Sequence, residues 1–130
     1  MKFQKLTDVE EEIGAAIVKA AFKLHTELGP GLLEKVYEVC LVHELRKAGY
    51  AVARQMEIQI FYDGIVFDDA LRLDILVENK VIIEVKAKEQ VNAVWMAQVL
   101  SHLKLTNKRL GYLINFHVPS MKEGIRRIIL

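Results

Sequence analysis

The chain opens on a helical rhythm. Val9, Ile13, Ala16, Ile17, Ala20, Leu24 and Leu28 recur at three- and four-residue intervals, which predicts one helix from about Asp8 to Leu28. Thr7 and Glu10 stand ahead of it at capping-box spacing. Gly29-Pro30-Gly31 ends it, because proline lacks the amide a helix interior needs and glycine tolerates a left-handed exit. A second helix comes directly after, with Leu33, Val36, Tyr37, Cys40, Leu41, Leu45 and Ala48 apolar and Gly49 as terminator. From Tyr50 the period falls to two: Met56, Ile58, Ile60 and Tyr62 alternate with Gln55, Glu57, Gln59 and Phe61, a strand with one polar face. Asp63-Gly64 is a turn signal leading into Ile65-Val66-Phe67. Two β-rich runs come next, Leu71 to Val77 and Val81 to Ala87. Helical spacing returns over Lys88 to Thr106, and Leu110, Tyr112, Ile114 and Phe116 alternate in a further strand. The tail GIRRIIL reads as a last strand. The order predicts one α/β domain over residues 1–130, a mixed β-sheet flanked by helices.

The two runs at the centre carry charges where a buried strand should carry none. Leu73, Ile75 and Val77 alternate against Asp74, and Val81, Ile83 and Val85 alternate against Glu84 and Lys86. Placing both apolar sets on one sheet face pairs Val77 with Val81 across the turn Glu78-Asn79-Lys80. A slip of one residue would turn every side chain over. In that register Asp74 faces Glu84, their Cβ atoms about 5 Å apart. Carboxylates so close repel unless a positive charge lies between them. A divalent cation supplies one, and hard oxygen ligands suit Mg2+ or Mn2+. Lys86, one pleat along, reaches the same spot. The competing reading is a solvated charged face, with Lys86 or Arg72 neutralising the acids.

Composition narrows the picture further. A net charge of +1 gives no support to nucleic-acid binding by bulk charge, although a local basic patch fits within a balanced total. Cys40 is the only cysteine, which excludes a disulfide framework and a thiolate metal cluster and fits a reducing compartment. The amino terminus lacks the apolar core of a signal peptide, and no apolar run approaches the ~20 residues of a membrane span. A cytoplasmic protein without membrane contact is expected.

An Asp on one strand and Glu-x-Lys on the next resembles the signature of the PD-(D/E)XK nuclease superfamily, with its restriction-endonuclease-like core. GLLEKVY, Gly31 to Tyr37, resembles the motif of the GxxExxY family within it. HTELGPGLLEKVYE, IIEVKA, AQVLSHLKLT and GYLINF resemble that family's blocks in the same order. The resemblance implies that Asp74 and Glu84 are metal ligands, with the Val85 carbonyl a further one. It implies that Lys86 orients the attacking water, that Glu34 is the first-helix glutamate, and that Gln98 faces the site. His102 stands where the family usually has tyrosine, and leucine replaces the proline before Asp74. From the residues alone His102 reads as a structural or surface residue, as do His25, His43 and His117.

Two functions of different class are compatible with these residues. One is a Mg2+- or Mn2+-dependent nuclease on DNA, with RNA second, recognising structure more than sequence and expected to act as a homodimer. The other is a non-catalytic nucleic-acid- or protein-binding module that keeps the fold.

Overall fold

The computed structural model describes residues 5–130. The elements run α1 (Asp8–Leu28), α2 (Glu34–Lys47), β1 (Val52–Tyr62), β2 (Ile65–Val77), β3 (Val81–Lys86), α3 (Val94–Thr106), β4 (Leu110–Asn115), α4 (Met121–Gly124) and β5 (Ile125–Ile129). The five strands form one sheet in the order β1-β2-β3-β4-β5. Only β3 and β4 are parallel, joined by the crossover through α3. The expected α/β architecture is therefore present, with β1 and β5 left as the edges of the sheet.

Each sheet face carries its own apolar cluster. Ile13, Ile17, Ala21 and Leu24 of α1 and Tyr37, Leu41 and Leu45 of α2 pack on Ile75, Val77, Val81, Ile83, Val85, Tyr112 and Ile114. Val99 and Leu103 of α3 pack on Leu73, Leu76, Ile82 and Leu113 from the other side. Gly111 makes that approach close: a Cβ there would stand 2.9 Å from Val99 Cγ1.

Thr7 caps α1 in a reciprocal capping box with Glu10, as its spacing predicts. The stripe on α1 is narrower than the spacing suggests, since Val9 and Leu28 are exposed. In α2, Leu33 is the N-cap and lies exposed with Val36, so the buried stripe starts at Tyr37. The third helix begins at Val94, not Lys88. Residues 87–93 form a loop instead, held by Asn115, whose side chain accepts from the Lys88 amide at 3.1 Å and donates to the Lys88 carbonyl at 2.8 Å. The tail is a strand, preceded by the short α4 that the sequence pattern did not show.

The central register is the one the apolar sets dictate: Val77 pairs with Val81, Leu76 with Ile82 and Ile75 with Ile83. Glu78 and Asn79 take positive φ in the turn. One expectation fails here. Leu73 does not share a face with Ile75 and Val77; it packs with Leu76 on the α3 side. The same phase change occurs on β1, where Ala53 and Met56, three residues apart, both pack on that side. Between them Gln55 adopts φ 54°, directly across from Asp74. Alternation by two holds only for regular extended chain, and one left-handed residue shifts the phase of the residues beyond it. Past the kink β1 and β2 continue as a hairpin beyond the rest of the sheet, closed by the Asp63-Gly64 turn.

Candidate active site

The kink determines where Asp74 goes. The β2–β3 ladder's last regular pair is Ile75 with Ile83, and the next rung is made by a side chain: Asp74 Oδ2 accepts the Val85 amide at 3.0 Å. The carboxylate thus lies along the edge of β3 and holds the strands together where the backbones part. Amide and carbonyl of one strand residue point the same way, so the Val85 carbonyl is aimed at this gap as well.

Glu84 comes from β3, on the face that Ile82 turns toward α3. Its side chain is 12% exposed, and Oε2 is buried without a hydrogen-bond partner. Burial first, then the Asp74 charge and a hydrogen bond with the Asp74 carboxyl, push the Glu84 pKa up to about 8. The Asp74 carboxyl, set against β3 just past the last regular ladder pair, adds its charge to the larger effect of burial. Lys86 Nζ stands 3.9 Å from Glu84 Oε1, too long for a tight ion pair, and lies 5.3 Å from the centre of the Trp95 ring. The aromatic face holds the ammonium beside the acids without neutralising them.

Glu34 is the first residue of α2. Burial raises its pKa, with the Asp74 charge adding to the effect and Lys86 opposing it, which places its carboxyl in the field of the same cluster. His102, on α3, has a buried Nδ1 with no partner. Burial lowers its pKa, Asp74 opposes and Lys86 reinforces the shift. His102 thus borders the site, where its residue type alone suggested a structural role. Gln98 is exposed on α3. It lies three residues after Trp95 and four before His102, on the helix face those two define. His25 is structural, Nε2 lying 2.7 Å from the Val118 carbonyl oxygen.

Sequence reasoning missed Trp95 and Asn115. Trp95 reads in the sequence as one more apolar position of a helix. Asn115 carried a usable signal, a polar residue inside an otherwise apolar alternation; it is buried, and by register it lies beside Lys86.

The donor set fits a hard divalent cation. Two carboxylates and a backbone carbonyl converge at one strand gap, and the orphaned Glu84 oxygen lacks a positive partner. The acids gather as a pair with Glu34 further off; no group of three or more acidic, histidine or cysteine side chains closes on one point among the described residues.

The family model of the PD-(D/E)XK nuclease superfamily matches residues 11–128, and the chain belongs to that superfamily. The match establishes the superfamily and does not bear on the GxxExxY group within it. Proteins of this class act on nucleic acid and generally use divalent metals. No curated protein and no solved structure matches the chain. No helix among the described residues is long and apolar enough to cross a membrane.

Proposed function

We propose that this protein is a Mg2+- or Mn2+-dependent nuclease that hydrolyses phosphodiester bonds in DNA, acting in the cytoplasm. The observation that carries the reading is the buried Glu84 Oε2 without a hydrogen-bond partner, in the field of Asp74, with Lys86 in only a loose 3.9 Å ion pair to the other Glu84 oxygen. Asp74, Glu84 and the Val85 carbonyl would hold the metal, which when bound stabilises negative charge developing on the phosphate. Lys86 orients the attacking water and donates hydrogen bonds to a phosphate oxygen. Trp95 keeps that ammonium aimed at the gap. Glu34 adds negative charge at the entrance to the acid pair, and Gln98 and His102 offer hydrogen bonds from α3 to the substrate backbone.

The test is thermal. Mn2+ should raise the melting temperature by mass action, and Asp74→Asn or Glu84→Gln should remove that rise. A melting temperature indifferent to both Mg2+ and Mn2+ would sink the metal site. The binding-module reading is favoured by the net charge of +1 and by a sequence without an evident basic arm. Metal stabilisation with no cleavage of single-stranded, duplex, flapped or four-way-junction DNA, or of structured RNA, would select it.

We also propose that the protein works as a homodimer. The end of the β1–β2 hairpin exposes Phe61 at 67%, Tyr62 at 70% and Ile65 at 52%. Glu57, Asp63, Asp68 and Asp69 are its only charges between Glu57 and Leu71, which keeps this surface away from a phosphate backbone. A second copy meets the same apolar residues from the other side of a twofold axis, so each is buried twice over. Light scattering at tens of micromolar should give twice the 14.9 kDa chain mass, and Tyr62→Glu should halve it. A monomer at that concentration would end the two-site picture and leave the single-site nuclease standing.

A further inference from the structure

Leu33 caps α2 without a side-chain hydrogen bond, so the helix that presents Glu34 begins with none of the usual oxygen acceptors. The bracing comes from one turn further on. Tyr37 is fully buried, and its hydroxyl donates to the Gly29 carbonyl at 2.6 Å while accepting the Leu32 amide at 3.1 Å. Those contacts span the loop in which Gly31 takes φ 101°, a conformation that side chains rarely adopt. The Tyr37 ring lies flat on Phe116, centroids 4.5 Å apart and planes 2° from parallel. The Phe116 amide in turn donates to the Lys86 carbonyl at 2.9 Å. A continuous chain of contacts therefore runs from the lysine strand, through two stacked rings, to the loop that launches α2.

We propose that Tyr37 is a positioning residue: its hydroxyl straps the Gly29–Leu32 loop and thereby fixes Glu34, at the head of α2, at a set place relative to the Asp74–Glu84 pair and Lys86. The spacing agrees with the geometry. Glu34 and Tyr37 stand three positions apart in the first turn of α2, so the acid and the hydroxyl that locks the preceding loop are neighbours on the helix surface. A tyrosine serves where phenylalanine would not, because the loop offers one carbonyl and one amide that a single hydroxyl satisfies together.

This inference rests on the metal-site reading, and its test separates the two. The apparent Mn2+ midpoint is read from the rise in melting temperature for the wild type, Glu34→Gln, Tyr37→Phe and the double variant. Tyr37→Phe keeps the ring on Phe116 and removes only the hydroxyl. Each single variant should raise the midpoint roughly tenfold, the usual cost of losing an outer-sphere partner of a metal. The double variant should be no worse than Glu34→Gln, since a residue that acts through another has nothing left to position. Amide exchange at Leu32 should quicken in Tyr37→Phe whether metal is present or not. Gly31→Ala, which strains the loop from its other end with Tyr37 intact, should shift the midpoint in the same direction. Losses that multiply in the double variant, or a Tyr37→Phe protein with an unchanged midpoint, would overturn the positioning role while leaving the metal site intact. A wild type with no Mn2+ response would overturn both.

Discussion

Lys86→Ala abolishes DNA cleavage and leaves the Mn2+-induced rise in melting temperature in place. The ammonium stands 3.9 Å from the nearer Glu84 oxygen and is held over the Trp95 ring, so it offers donors to a water and a phosphate without being a ligand of the ion. Removing one donor aimed at developing charge in a water-poor site costs on the order of 10²–10³ in rate. Losing the water-orienting role adds to that, so the residual activity should fall to background. The metal itself should bind at least as well, apart from the small effect of one fewer nearby cation. Cleavage assays with Mn2+ on the DNA panel, run beside thermal melts of the same preparation, separate the two roles. Activity that survives both Lys86→Ala and Asp74→Asn comes from a contaminating enzyme.

The metal-free protein should lose stability as pH rises, and Glu84 is the cause. Its carboxyl is held protonated in the folded state to a pKa of about 8, against the ordinary 4.5 of a glutamate. Below about pH 4.5 both folded and unfolded chains carry the proton and the group has no influence. Between about pH 5 and pH 8 the unfolded chain releases it and the folded chain does not, so stability declines across that window and levels off above it. The full span corresponds to a loss on the order of 5 kcal/mol. Urea denaturation in EDTA on either side of that window, at about pH 5 and about pH 8.5, measures it. Glu84→Gln should flatten the dependence and make the metal-free variant more stable than the metal-free wild type at the alkaline end. Mn2+ should reverse the trend in the wild type, because the ion takes the place of the proton and binds better once the proton has gone. A wild-type stability independent of pH in EDTA would show that the two carboxyl groups do not share a dry gap.

Much of this site was legible before the fold was known. Val77 and Val81 fixed the register because a slip would have exposed whole apolar sets. The regular ladder ends at Ile75 and Ile83, and beyond it the Asp74 carboxyl lies within electrostatic reach of Glu84. The helix pair, the Asp63-Gly64 turn and the terminal strand came from periodicity and turn chemistry. What failed did so for local reasons. Leu73 changes faces at the place where the paired strand β1 is kinked by Gln55, whose left-handed conformation its residue type does not announce. The segment after β3 is apolar enough to read as helix, yet Asn115 bonds its backbone in a loop from 27 residues away, and periodicity carries no record of so distant a partner. Trp95 looked like one more position of an apolar helix, since nothing in its spacing says which side of α3 the lysine of β3 will occupy.

Asp74 has two employments, and they differ in what they would leave behind if catalysis were lost over evolutionary time. As acceptor of the Val85 amide it replaces a backbone rung at the point where the sheet divides. An alanine there strands a buried amide, at about 1–3 kcal/mol, whatever the protein does. Glu84 has no such duty: its buried Oε2 bonds to nothing, and its burial only costs. A descendant that abandoned nucleic-acid chemistry would therefore keep its aspartate, or an asparagine able to accept the same amide, and would shed its glutamate first. Among relatives, the glutamate is the fossil to look for, and a surviving aspartate alone records only an inherited way of closing a sheet.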